Sequence, residues 1–267
     1  MNTRQFRIYA WQIGILVVAL GSWELCVATG FLSPFWASSP SRIALALVEV
    51  VSDPLFPTHV GTTLLELVAG FAAGSILGIA IGFVLAQWPL VEKIFDPFLH
   101  AINSLPRVAL APLFILWLGI GLGSKILIAA TLVVFIVIGN TLAAARSVDA
   151  DMMTAARLLG ATRLQLFLKV VLPASIPVIF AGLRLGVVYA MLGAVVGEMI
   201  AATSGLGYML SFFAGSLQVG HLMATLVVLV VLSTSLSALT SWVERRILDW
   251  GGSSRKRLAA RAGKTPA

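Results

Sequence analysis

Asn103, Ser104, Arg107, Arg184 and Glu198 are polar side chains set in strongly apolar stretches. A charge inside a bilayer is costly, so such groups are kept to pair with one another or to meet a passing solute. Arg107 carries a guanidinium that would attract an anion. Pro106 and Pro112 flank it, and the backbone carbonyls they free are tolerated only beside protein or a water-filled cavity. Asn103 and Ser104 offer hydrogen bonds to a solute or, equally, to a neighbouring helix. Arg107 has bland alternatives: pairing with Asp96, or snorkelling to the membrane surface. Arg184, early in the fifth span near its cytoplasmic side, could likewise pair or snorkel. Glu198 reads as a wetted carboxylate on the rim of a span, close to Gly205-x-Gly207 and an apolar segment, 208–217, that would shape an outer gate. Glu24 and Glu66 read as interfacial. This set can hold and pass a charged solute, but nothing in it breaks bonds. His59, His100 and His221 are scattered without HExxH or ligand spacing, so no metal site is expected. No His/Asp/Glu pair or serine constellation marks a membrane enzyme. No G-x4-G-K-[ST] loop is present, so the chain cannot use ATP itself.

The elements that must position these residues are membrane spans. Of 267 residues, 59% are hydrophobic and 11% charged, with mean hydropathy +1.01. Soluble domains carry about 25% charged residues, so a bilayer is the natural solvent. A span needs about 20 apolar residues. Six segments qualify, at approximately 10–30, 62–86, 97–118, 125–145, 176–200 and 222–243. Arg4 and Arg7 before the first resemble a signal-peptide start, but the apolar run continues too far and lacks a small-x-small cleavage site, so it reads as an uncleaved span. With the N-terminus inside, fourteen Lys and Arg fall in inner segments and two, Arg42 and Lys125, in outer ones. That bias places both termini in the cytoplasm. The net charge of +7 is therefore a topology signal, not a nucleic-acid footprint. The basic tail, 251–267, is expected to be disordered and to lie on anionic lipid. Cys26 stands alone, which excludes an intrachain disulfide. Gly70, Gly74, Gly78 and Gly82 recur every four residues and make a smooth stripe where another helix can come close.

The least apolar part is the most informative. From Ser147 to Pro177 the chain reads SVDADMMTAARLLGATRLQLFLKVVLPASIP. Asp149 or Asp151 can cap a helix, and Met152, Ala155, Ala156 and Leu159 then share one face. Gly160 suits a left-handed stop. Thr162 and Gln165 have capping-box spacing for a second short helix, and Pro173 and Pro177 are expected to punctuate the approach to span five. On amphipathicity alone this pair could simply rest on headgroups.

Ala155-Ala156, Gly160 and Val170-x-Leu172-Pro173 fall at the spacing of the EAA loop of ABC importer permeases, E-A-A, three residues, G, nine residues, I-x-L-P. Thr154 stands where that pattern has Glu, and Val170 where it has Ile. Further stretches resemble the nitrate/sulfonate/taurine/bicarbonate permease family: Asp96-Pro97, Leu105-Pro106, Ala111-Pro112-Leu113, Leu116 to Gly121, Ser124-Lys125-Ile126, Gly182-Leu183-Arg184, Gly197-Glu198, Gly205-Leu206-Gly207 and, imperfectly, Ser38 to Ser41. The likeness covers about nine-tenths of the chain. It implies an all-α fold of six transmembrane helices, the MetI-like fold of type I ABC importers, with a cytoplasmic coupling loop over 147–173. It implies a bacterial cytoplasmic (inner) membrane location and a role as transport subunit, not enzyme. The ATPase-coupling residues it implies are Asp151, Met152, Thr154, Ala155, Ala156, Arg157, Leu159, Gly160, Ala161, Leu172 and Pro173. The candidate pathway residues are Asn103, Ser104, Arg107, Arg184 and Glu198. Implied partners are a second permease copy, two cytoplasmic ABC ATPase subunits holding ATP and Mg, and an extracytoplasmic solute-binding protein; this chain would hold no cofactor and no nucleic acid. The implied cargo is a small anion such as nitrate, a sulfonate, taurine or bicarbonate, with a thiamine-precursor pyrimidine or riboflavin as the alternative. A stand-alone secondary transporter or channel would leave the EAA-like loop without a task and usually shows internal repeats, of which the sequence has none.

Overall fold

Glycine at every fourth position lets two helix backbones touch, and the fold is built around that contact. In a computed structural model, the backbone of residues 3–262 and the side chains of residues 7–247 are described. Every element among them is helical: α1 (Thr3–Ala28), α2 (Pro34–Ala37), α3 (Pro40–Ser52), α4 (Phe56–Gln87), α5 (Pro89–Ser104), a 3-10 turn (Arg107–Leu110), α6 (Ala111–Leu118), α7 (Leu122–Arg146), α8 (Ala150–Leu158), α9 (Arg163–Leu166), a π turn (Phe167–Val171), α10 (Leu172–Ile200), α11 (Leu206–Gly215) and α12 (Val219–Ala262).

Helices α4 and α7 run parallel and meet along the stripe. A Cβ at Gly70 would lie 2.5 Å from Ala129 Cβ, at Gly74 2.7 Å from Val133 Cβ, at Gly78 2.7 Å from Val137 Cβ and at Gly82 2.6 Å from Thr141 Cβ. Helix α10 runs antiparallel across α7, and Gly193 brings it to Ala129, where a Cβ would stand 2.6 Å from the Ala129 Cα. Leu67, Val133, Val137, Ala190 and Ala194 fill the centre of these three helices. Helix α12 closes the bundle against α10, α3 and α11. Helix α1 is tied to the start of α3 by Glu24, whose carboxylate accepts from the Ser41 N–H (3.0 Å) and hydroxyl (2.7 Å). Because Gly78 meets Val137 Cβ and, at 2.8 Å, the Val134 carbonyl, Gly78→Ala is expected to lower stability by about 1–3 kcal/mol through overpacking, read as a lower thermal midpoint in detergent.

Five helices are long and apolar enough to cross a membrane, and a sixth span is made by Pro89–Ser104 and Arg107–Leu118, bent by 80° at their junction. The first helix of this pair begins at Pro89, eight residues before the expected start of the third span at 97. Pro97 lies inside α5, and the break falls at Leu105-Pro106, where proline removes a donor and restricts the residue before it. The loop between α7 and α10 also departs from expectation. Its second helix does not end before span five. One turn, α9, passes through the π turn straight into α10. The wider π turn absorbs the missing N–H of Pro173, which sits in the first turn of α10, and Pro177 lies inside that helix. The basic tail at 251–267, expected to be disordered, continues α12 as far as Ala262; residues 263–267, and the tail's side chains, lie outside the described residues.

Candidate functional site

Three places carry the chemistry: the protruding loop, the break in the third span, and a buried polar cluster at the end opposite the loop.

The loop is shaped by its caps. Asp149 accepts from the Asp151 N–H at 2.8 Å and starts α8. Gly160, at φ +81°, turns the chain, a left-handed position that suits glycine. Thr162 and Gln165 form the full capping box that begins α9. No residue of α8 is buried, and Leu158 and Leu159 are 84% and 88% exposed. Leu159 is therefore almost wholly uncovered and Met152 half so among the described residues. The Thr154 hydroxyl turns back to the Ala150 carbonyl at 2.9 Å. Ala156, Leu159, Gly160 and Ala161 line an open cleft of about 330 Å³ with Gln165, Lys169 and Val170. Phe167, at the foot of the loop, packs edge-on against Phe83 of α4, ring centroids 5.0 Å apart. Leu172, beside Pro173, belongs to the same apolar foot with Phe83, Ala144 and Ile179. Nearby, Arg146 at the end of α7 pairs with Glu92 of α5.

At the break, Asn103, Ser104 and Arg107 are brought together. Arg107 does not pair with Asp96. One guanidinium N–H donates to the Asn103 side-chain oxygen at 2.7 Å, and the group lies 4.9 Å from the centre of the Phe135 ring on α7. Its Nη1 is buried with no partner in the chain. The Ser104 hydroxyl donates to the His100 carbonyl. A cavity of about 160 Å³ opens beside this group, with Asp96, His100, Asn103 and Phe135 in its wall. Arg107 itself is not in that wall and reaches it through Asn103; a guanidinium can bind an oxyanion once an N–H is uncovered. Arg184 is not part of this group: it pairs with Glu244 of α12.

The third place corrects two readings. Glu198 and Glu66 are not wetted or interfacial; they are 1% and 0% exposed. Glu198 Oε1 accepts from the Thr63 hydroxyl and Oε2 from the Gly207 N–H, both at 2.7 Å. The Gly205 N–H donates to His59 Nδ1 at 3.0 Å and the Leu206 N–H to the Thr63 hydroxyl at 2.8 Å. Three successive backbone donors at the start of α11 are thus taken by side chains of α4 and α10. Helix starts leave such donors unsatisfied, and a carboxylate there also meets the positive end of the helix dipole. Glycine is required at both flanks, because a Cβ at Gly205 or Gly207 would run into the Glu198 carboxylate. Lys125 of α7, itself buried, reaches Glu66 at 3.5 Å, while both Glu66 oxygens lack a hydrogen-bond partner. His59, Thr63, Glu66 and Lys125 were absent from the sequence-derived site. The available signal was charge of both signs, Glu66, Lys125 and Glu198, at matching depth in three apolar helices.

Residues 59–249 match the family described as "Binding-protein-dependent transport system inner membrane component". The chain is 32% identical over 247 residues to the putative aliphatic sulfonates transport permease of Bacillus subtilis (strain 168), covering 92% of this chain and 90% of that one. It is 33% identical over 238 residues to the riboflavin transport system permease of Chloroflexus aurantiacus, covering 89% of each. It is 30% identical over 246 residues to the taurine transport system permease of Escherichia coli (strain K12), covering 90% of each. An inward-facing structure of the MetNI methionine ABC transporter superposes with a TM-score of 0.64 at 20% identity, over 73% of this chain and 99% of that one.

Proposed function

The chain belongs to the binding-protein-dependent transport system inner membrane components, the permeases of ABC importers, and we propose that two copies of it form the pathway of an importer for a small oxyanion, driven by a separate pair of ATPase subunits. In this reading the α8 loop faces the cytoplasm, with both termini, and the α11 end faces the solute-binding protein.

The observation that carries the coupling role is α8, a helix with none of its residues buried. Exposed Leu158 and Leu159 have no partner in their own chain, and an apolar surface of that kind marks an interaction site. Docked on an ATPase subunit, α8 is joined by the turn at Gly160 to α9, which runs through the π turn into α10 without a break. A push on α8 therefore moves α10, and with it the packed α4–α7 pair, which is how a local closure becomes alternating access.

The observation that supports an oxyanion is Arg107 at the 80° break, with a buried, unpartnered Nη1. Interrupted helices are where membrane transporters place solute-binding groups. The sulfonate and taurine permeases among the relatives are named for solutes that bear a sulfonate group. A second reading, a riboflavin-like heterocycle, is favoured by the Chloroflexus relative at similar identity.

Reconstituted with its ATPase and solute-binding protein, the complex is expected to take up an alkanesulfonate or taurine only with ATP. Arg107→Ala is expected to cut that uptake by about ten- to a hundredfold, as loss of a charge-assisted contact of ~1.5–3 kcal/mol implies. Uptake of riboflavin in place of sulfonate, untouched by Arg107→Ala, would select the second reading. Uptake without ATP would overturn both.

A further inference from the structure

Helix α11 is short, apolar and set between two left-handed residues. Gly205 (φ +113°) precedes it and Leu217 (φ 58°) follows it. Glycine takes such a conformation freely, whereas a leucine there is strained, and strain of this kind persists where the surrounding structure holds it in place. What holds α11 at its start is unusually specific. The N–H groups of Gly205, Leu206 and Gly207 end on His59, Thr63 and Glu198 in turn. Thr63 is the centre of the set: it receives the Leu206 N–H and donates its own proton to Glu198. The His59 ring also stacks on Tyr208, centroids 5.8 Å apart, and Tyr208 stacks on Phe212.

The arrangement has an internal cost beside it. Glu66 is fully buried with no hydrogen bond to either oxygen, and Lys125 approaches only to 3.5 Å, beyond a good hydrogen bond. A buried polar group left unsatisfied in this way is a reservoir of unfavourable free energy. Strong bonds on α11 thus sit beside a carboxylate that has a countercharge in Lys125 but no hydrogen bond of its own.

We propose that His59, Thr63 and Glu198 are positioning residues that hold α11 as a latch across the end of α4 facing the solute-binding protein, and that α11, with Ser204 and Gly205 before it, must swing away about the 201–203 bend that follows α10 once per transport cycle. This rests on the importer reading above. The latch opens when α10, moved from its loop end, carries Glu198 away from Thr63 and Gly207. Glu198, two residues from the end of α10, is the point where that movement reaches α11.

A disulfide tests it. The Thr62 and Ser204 hydroxyl oxygens are 3.4 Å apart between α4 and the turn that leads into α11, close enough for cysteines there to bond. Cys26, the native cysteine, is replaced by serine. In the Thr62→Cys, Ser204→Cys variant, assembled with ATPase and solute-binding protein, oxidation is expected to abolish ATP-driven uptake and reductant to restore it. Equal uptake by oxidised and reduced protein, with the disulfide verified by mass, would overturn the latch alone. A folded reduced protein that moves no solute with ATP would overturn the importer reading and the latch with it. Should that variant fail to fold, Thr63→Val removes the central bonds at constant shape. Hydrolysis of ATP without the solute-binding protein is then expected to rise roughly tenfold, and an unchanged rate would sink the latch.

Discussion

Ala156→Trp is expected to leave the protein folded in the membrane and to stop ATP-coupled uptake. Ala156 lines the cleft of the α8 elbow, and no residue of α8 is buried, so the bulky ring meets no core of its own chain. It meets whatever docks there. Loss of even 1.4 kcal/mol of docking free energy lowers the assembled fraction about tenfold when the components are dilute, and a ring wedged into a close-packed helix contact costs more than that. The measurements are co-purification with the ATPase subunit and uptake in proteoliposomes, with the thermal midpoint of the permease as control. Gly160→Val makes a useful companion. Nothing lies within 4 Å of a Cβ at Gly160, but its φ of +81° strains any L-residue and a branched one most, so the elbow is expected to lose its angle without a clash. Normal uptake by both variants would show that α8 is not the coupling contact.

Lys125→Met is expected to be the most destabilising single change in the bundle, by about 3–5 kcal/mol, the range seen when one member of a buried charge pair is removed. Lys125 and Glu66 have side chains 6% and 0% exposed, and Glu198 lies in the same cluster. Without the ammonium, two carboxyl groups face each other with no countercharge. The second half of the prediction is a rescue: Glu66→Gln in the Lys125→Met background is expected to recover part of the loss, because the unpaired charge goes with the side chain. Expressed yield and thermal midpoint of the single and double variants, read as a cycle, check both parts. Additive losses would mean that the two groups do not share one charge balance.

These two sites differ in how far they were legible. The α8 loop was open to reading because its signals are local. Asp149, Gly160, Thr162 and Gln165 act on neighbours within a few residues, so spacing alone reports them, and each was found capping or turning as its type requires. The second helix of that loop was misjudged because a proline ordinarily ends or bends a helix. A π turn lets α9 run on past Pro173, and at its start Phe167 packs against Phe83, a contact across the bundle. Glu66 and Glu198 were misjudged for a related reason. Their nearness to span ends suggested water, but burial is set by what covers them, and the cover comes from residues far apart in the chain, Thr63, Lys125 and Gly207.

By itself the sequence determined the solvent, the number of spans, the glycine stripe and the turn chemistry of the α8 loop, because hydropathy, four-residue spacing and caps are properties of short stretches. Only the tertiary structure decided that the third span breaks by 80° at Arg107, that Arg184 is taken by Glu244, and that His59, Thr63 and Glu198 grip the start of α11. Each of these depends on which helix faces which, and that is settled by close packing of α4, α7 and α10, not by any residue's own preference.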